Sequence, residues 1–86
     1  DGGITGVMKT AHLAEAFGLD VELHGAGPAQ RHAMAAIRNT NFYELSLVAP
    51  GRANPIPQVF ACAYRDEVEA VGADGCFPVP DGPGLG

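Results

Sequence analysis

His24 is the residue of this sequence best placed for proton chemistry. It ends a short segment in which apolar and polar residues alternate, and a glycine-rich bend follows it directly. In proteins built from parallel strands and helices, reacting groups lie where strands end and loops begin. An imidazole there can remove or return a proton near neutral pH. The alternative is a histidine that only hydrogen-bonds backbone at a strand end, and the spacing leaves both open.

Glu44 is the second candidate catalytic residue. It lies on the polar face of a second alternating segment, at residues 42–48. If the two segments are neighbouring parallel strands, their polar faces lie side by side. A carboxylic acid in that place could donate a hydrogen bond to a developing enolate oxygen. The alternative is a carboxylate in a buried ion pair.

Gly25 and Gly27 form the bend after His24, and Pro28 follows as a favourable first residue of a helix. Backbone N–H groups at such a helix start can hold a phosphate or a carboxylate. We therefore predict that Gly25 and Gly27 bind substrate. The alternative is a plain connection, because glycine bends precede many helices.

Four elements position these residues in the first half of the chain. Apolar residues at helical spacing predict a helix over residues 5–17, with Thr5 as N-cap and Gly18 past its end. Alternation predicts a strand at 19–24, a second helix follows to about residue 38, and a second strand covers 42–48. The order helix–strand–helix–strand indicates parallel strands joined by helices, hence an α/β layer or barrel.

The second half of the chain has a different character. Prolines and glycines interrupt the α/β rhythm after residue 49. We predict a strand at residues 58–64 and a hairpin turn at Asp74-Gly75. The chain is therefore divided into residues 1–49, which carry the helices and strands, and residues 50–86, which form an extended tail that contains a hairpin.

Charge and cysteine content exclude several kinds of partner. The net charge of −5 argues against nucleic acid and against an anionic membrane surface, which both require basic residues. Apolar runs are too short to span a membrane. Two cysteines are too few for a disulfide framework, so Cys62 and Cys76 are interpreted as reduced, buried thiols of a cytoplasmic protein.

The remaining polar residues have no spacing that suggests a site. His12 and His32 lie on helices without a paired ligand and are interpreted as surface residues, and no metal-ligand set is predicted. Arg31 and Arg38 are interpreted as a solvated helix face. The chain begins at Asp1 without a methionine and ends on a glycine run, from which we expect it to be a fragment.

Four motifs in order resemble the mandelate racemase/muconate lactonizing enzyme family of the enolase superfamily. The first is similar to the family's sixth strand-to-helix unit, the second and third to its seventh and eighth strands, and the fourth to its closing tail. They are GGITG at residues 2–6 with Lys9 and LAEAFG at 13–18, VELH at 21–24, YEL at 43–45, and VPDGPGLG at 79–86.

The resemblance implies a fold and residue roles. The chain would be the C-terminal portion of a (β/α)7β TIM-like barrel. His24 matches the base that removes the proton beside a substrate carboxylate, and Glu44 matches the acid that hydrogen-bonds the enediolate. The family's Mg²⁺ ligands lie on earlier strands, outside this chain, and Lys9 is expected to be structural.

The resemblance also implies an activity. The parent enzyme would be a metal-dependent lyase, with dehydration of an acid sugar as the first choice and racemisation or epimerisation as the alternative. Its partners would be a small carboxylate or acid-sugar substrate, the rest of the barrel, and further copies in a homo-oligomer, and the isolated chain is expected to be inactive. The alternative of another class is a non-catalytic binding or oligomerising module.

Overall fold

The structure is a computed structural model that describes residues 2–25, 27–45 and 68–86. Helix α1 covers Gly3–Ala16, helix α2 covers Pro28–Ala36, and a short 3₁₀ turn covers Val68–Ala70. The predicted strand at 58–64, the boundary at residue 49, and the state of Cys62 lie outside the described residues.

Helix α1 matches the prediction at its end and differs at its start. The N–H of Gly18 donates to the carbonyl of Glu15 and that of Leu19 to the carbonyl of Ala14, at 2.9 and 3.0 Å. This pair of bonds is the Schellman motif, which requires the left-handed φ of 68° that Gly18 adopts. Thr5 was wrongly predicted as N-cap: Gly2 takes that position with a φ of 85° and no side-chain bond.

Helix α2 starts at Pro28 as predicted and ends at Ala36, two residues earlier than expected. Ile37 is already extended, with φ −93° and ψ 147°. The early end lets Asn39 donate from Nδ2 to the carbonyl of Leu19 at 2.8 Å and to that of Ala11 at 3.2 Å. The side chain of Asn39 therefore joins the end of α2 to α1 and to the segment after it.

The two helices pack through small side chains. Ala11 on α1 and Ala33 on α2 are buried, and Ile37 follows them into the same interior. Several larger apolar side chains of the described residues are exposed instead: Ile4, Leu13, Phe17, Leu19 and Phe42. Burial of apolar area is the main stabilising term in folding, so the described residues by themselves have a small core. No helix among them is long and apolar enough to cross a membrane.

The segments at 19–24 and 39–45 run side by side in the same direction, but neither is a strand. The N–H of Val21 donates to the carbonyl of Asn39 at 2.7 Å. The next donors, the N–H groups of Asn41 and Phe42, bind the carboxylate of Glu22. In a parallel ladder, the N–H of Asn41 would instead donate to the carbonyl of Val21, and the N–H of Phe42 would point to the other side. The strand predictions are therefore wrong for residues 19–24 and 42–45, and the barrel stays a prediction.

The tail contains the predicted turn. The N–H of Gly72 donates to the carbonyl of Cys76 at 2.8 Å, and that of Gly75 to the carbonyl of Gly72 at 2.9 Å. No strand flanks this turn within residues 68–86, so the hairpin stays a prediction. Cys76 has a free thiol as expected, but its predicted burial is wrong. It lies on the exposed turn, where its N–H donates to Oδ1 of Asp74.

Arg31 differs most from its predicted environment. It was placed on a solvated helix face, yet it is only 3% exposed. Its guanidinium lies 4.9 Å from the ring centre of Tyr43 and 4.5 Å from that of Phe77, and Nη1 donates to the carbonyl of Pro78 at 3.2 Å. A guanidinium stacks well on aromatic rings, which explains its burial. Arg38 is exposed as predicted.

Candidate active site

His24 and Glu44 are in direct contact. Nδ1 of the imidazole lies 2.9 Å from Oε2 of the carboxyl group, and their side chains are 96% and 40% exposed. The two residues lie opposite each other on the two parallel segments. The structure thus brings together the two side chains that the sequence selected, and their catalytic roles stay predictions.

The backbone after His24 holds the carboxyl group of Glu44. The N–H of Gly25 donates to the same oxygen, Oε2, at 2.6 Å. Gly25 has a φ of 90°, a left-handed conformation that residues with side chains rarely adopt. One oxygen of Glu44 therefore accepts from the backbone N–H of Gly25 and lies in contact with the imidazole of His24.

Gly27 makes a matching contact with the neighbouring residue of the second segment. Its N–H donates to the hydroxyl of Tyr43 at 3.0 Å. The ring of Tyr43 in turn lies against Arg31 and Phe77, with 5.2 Å between the two aromatic ring centres. The N–H groups of Gly25 and Gly27 are thus engaged by side chains of this chain. A direct contact of either glycine with substrate stays a prediction.

Glu22 is a residue of this site for which no role was predicted. Oε2 accepts from the N–H of Phe42 at 3.1 Å and from Oγ1 of Thr40 at 3.2 Å, and Oε1 accepts from the N–H of Asn41 at 3.1 Å. The bond from Phe42 is the main cause that lowers the pKa of Glu22. The available signal was its place on the polar face shared with His24.

A small open cavity lies at the pair. It has a volume of about 310 Å³ and is lined by Glu22, Leu23, His24, Phe42 and Glu44. Ligand sites of small molecules start at about this size. The cavity combines two carboxyl groups, an imidazole and two apolar side chains, which suits a small polar substrate that has a carbon skeleton.

The contact with Glu44 orients the imidazole for proton transfer. A carboxyl oxygen that accepts a hydrogen bond from Nδ1 holds the hydrogen on that nitrogen. The other ring nitrogen of His24, Nε2, lies on a side chain that is 96% exposed. The arrangement can therefore accept a proton at Nε2 while the carboxyl group stabilises the resulting charge.

The described residues do not fit a magnesium ion. They contain no group of three or more His, Cys, Asp or Glu side chains that could hold a metal. Mg²⁺ prefers several oxygen ligands in octahedral geometry. Both oxygens of Glu22, beside the pair, already accept hydrogen bonds from residues 40–42. No catalytic step is therefore derived through a metal.

Comparison with known proteins gives a family. The family model described as enolase C-terminal domain-like matches residues 1–86. An L-rhamnonate dehydratase of Saccharopolyspora erythraea is 33% identical over 85 residues, which cover 99% of this chain and 21% of that protein. The chain thus spans about a fifth of the length of this relative, and no solved structure matches significantly. A family match along the whole chain shows that it belongs to the enolase C-terminal domain-like family.

Proposed function

We propose that this chain supplies the proton-transfer pair of an acid-sugar dehydratase. The carrying observation is the 2.9 Å contact between Nδ1 of His24 and Oε2 of Glu44, which lie on two neighbouring parallel segments. Family membership and the similarity to a protein named L-rhamnonate dehydratase support the reaction and the substrate class. The rest of the enzyme would complete the barrel, the substrate site and any magnesium ligands, so the isolated chain would be inactive.

His24 acts as the base in this proposal. Nε2 takes the proton from the carbon beside the substrate carboxylate, and the electron pair of that bond moves into an enediolate. The imidazolium then returns its proton to the β-hydroxyl, which leaves as water while the enediolate collapses to an enol. The enol tautomerises to a 2-keto-3-deoxy acid, so the net change is the loss of one water molecule.

Glu44 combines two tasks in this proposal. Oε2 accepts from the N–H of Gly25 and lies 2.9 Å from Nδ1 of His24. Oε1 is assigned the hydrogen bond to an enediolate oxygen, where charge develops. The same carboxyl group thus holds the base in position and stabilises the intermediate.

The setting proposed for the parent enzyme follows from its chemistry. Acid sugars are small polar substrates, and the exposed free thiol of Cys76 is compatible with a reducing compartment such as the cytoplasm. Assembly into a homo-oligomer is proposed from the family resemblance alone.

The test is α-proton exchange by the full-length enzyme that carries this chain. L-rhamnonate and related six-carbon acid sugars are incubated in D₂O, and NMR follows loss of the α-proton signal and appearance of the 2-keto-3-deoxy product. His24→Asn should slow both by about 10²–10⁴-fold, the usual contribution of a general base. His12→Asn, at an exposed histidine of α1, is the matched control and should stay within about twofold of the wild type.

Two outcomes would contradict the proposal. Unchanged exchange in the His24→Asn variant would exclude His24 as the base. Exchange without any 2-keto-3-deoxy product would replace dehydration by racemisation or epimerisation, which use the same first step.

A further inference from the structure

Glu22 connects the two segments that carry the catalytic pair. It lies two residues before His24, and its bonding partner Phe42 lies two residues before Glu44. Side chains two positions apart in an extended segment lie on the same face. The carboxylate of Glu22 therefore lies next to the contact between His24 and Glu44, two residues earlier along the chain and on the same face of both segments.

Three donors of the second segment converge on this carboxylate. Two are backbone N–H groups, from Asn41 and Phe42, and the third is the hydroxyl of Thr40. Backbone donors fix the position of the chain, whereas a bond between two side chains only limits their rotamers. The contact of Asp20 with the Asn41 side chain, at 3.4 Å, is of this weaker kind.

Regular strand pairing does not hold the two segments in register in the described residues, since neither segment is a strand. The backbone bond from Val21 to Asn39 aligns the segments at their start. Between that bond and the catalytic pair, the described hydrogen bonds that join the backbone of the second segment to the first are those accepted by Glu22. A shift of the second segment by one residue would turn Glu44 to the opposite face.

We propose that Glu22 is a positioning residue that sets the register between His24 and Glu44 and thereby the rate of proton transfer. The predicted effect of Glu22 on the rate rests on the proposed function, whereas its predicted effect on the positions of His24 and Glu44 does not. The pKa of Glu22 is lowered, first of all by the hydrogen bond from the N–H of Phe42, so these bonds favour the ionised carboxylate. Since none of its bonds is to His24 or Glu44, it acts through the backbone of residues 41 and 42.

The test uses Glu22→Gln in the full-length enzyme. The amide keeps the size of the side chain but turns one acceptor into a donor, which faces a backbone donor of Asn41 or Phe42. A displacement of about 1 Å at a reacting group can cost about 100-fold. We therefore expect kcat for α-proton exchange to fall by about 10–100-fold, with KM within about threefold. Glu22→Asp keeps the carboxylate and should recover part of the loss.

Asp20→Asn is the matched control, because it makes the same chemical change on the same face two residues earlier. It should leave kcat within about twofold, since its one bond is to a side chain. A double-mutant cycle with Glu44→Gln adds a readout that a purely structural role would not move. Once the carboxyl group of Glu44 is gone, Glu22→Gln should cost less than about threefold in kcat.

The decisive outcomes are separate for the two proposals. Suppose that His24→Asn abolishes exchange, as the proposed function requires. The role of Glu22 is then refuted, and the proposed function stands, if Glu22→Gln is as fast as the wild type or if its effect is additive with that of Glu44→Gln. If His24→Asn leaves exchange unchanged, the proposed function fails. In that case NMR of ¹⁵N-histidine-labelled enzyme still tests whether Glu22 positions the pair. Glu22→Gln should alter the Nδ1 signal of His24, and Asp20→Asn should not. An unaltered Nδ1 signal in Glu22→Gln refutes the role of Glu22.

Discussion

Arg31 joins helix α2 to the tail, and Arg31→Met tests the strength of that connection. Methionine keeps much of the apolar stem and removes the guanidinium. Among the described residues, the losses include a charged hydrogen bond to Pro78, about 1.5–3 kcal/mol, and the contacts with the two aromatic rings, about 0.5–2 kcal/mol. Methionine also avoids the cost of burying a charge, which offsets part of the loss. The expected net loss of stability at this contact is about 2 kcal/mol.

Hydrogen exchange of the full-length enzyme measures this loss locally. Peptides that cover residues 76–86 and 28–36 should exchange about 30-fold faster in Arg31→Met, because 1.4 kcal/mol corresponds to a factor of ten. Arg38→Met is the matched control. Its side chain is 88% exposed and lies 3.8 Å from Glu15, a contact worth under about 1 kcal/mol. Equal exchange of both peptides in Arg31→Met and the wild type would refute the assigned role of Arg31.

Two further predictions concern the site. Gly25→Ala should destabilise the bend by about 1–2 kcal/mol through backbone strain, since among the described residues no atom beyond its chain neighbours lies within 4 Å of the added methyl group. Urea unfolding should show Gly25→Asn to be less destabilising than Gly25→Ala, and equal stability of the two variants would contradict the strain. The pKa of Glu22 is lowered from 4.5, so its hydrogen bonds stabilise the folded state above that pH, and this stabilisation is lost as the pH falls through the pKa of the folded state. The Tm difference between the wild type and Glu22→Gln should therefore be largest above pH 5 and become small in acid. A Tm difference that does not change with pH would contradict this.

The helix ends were predictable where the signal is local. Gly18 and Pro28 act within one turn of their own positions, through a left-handed conformation and a fixed φ. The start of α1 was missed, although Gly2 and Gly3 are local as well, because Thr5 is a stronger N-cap by residue type.

The contact between His24 and Glu44 followed from alternation, which assigns each side chain to a face. Alternation does not show which acceptors the backbone N–H groups bind. In the structure the N–H groups of Asn41 and Phe42 bind the carboxylate of Glu22 and not the carbonyls of the first segment. The strands at 19–24 and 42–45 were therefore predicted wrongly on the same pattern that placed the pair correctly.

The burial of Arg31 could not be predicted from its neighbours in the chain. Helical spacing placed it on a polar face, and its aromatic partners Tyr43 and Phe77 come from two distant segments. No local pattern connects a charged residue of a helix with a carbonyl group in a proline- and glycine-rich tail.

The bond from Arg31 to the carbonyl of Pro78 joins residues 47 positions apart. Translation adds about 5–20 residues per second, so the acceptor is made about 2–10 s after the donor. During that interval the ring of Phe77, the second aromatic partner of Arg31, is also missing. The docking of the tail onto α2 through Arg31 therefore requires that residues 77 and 78 have been joined to the chain.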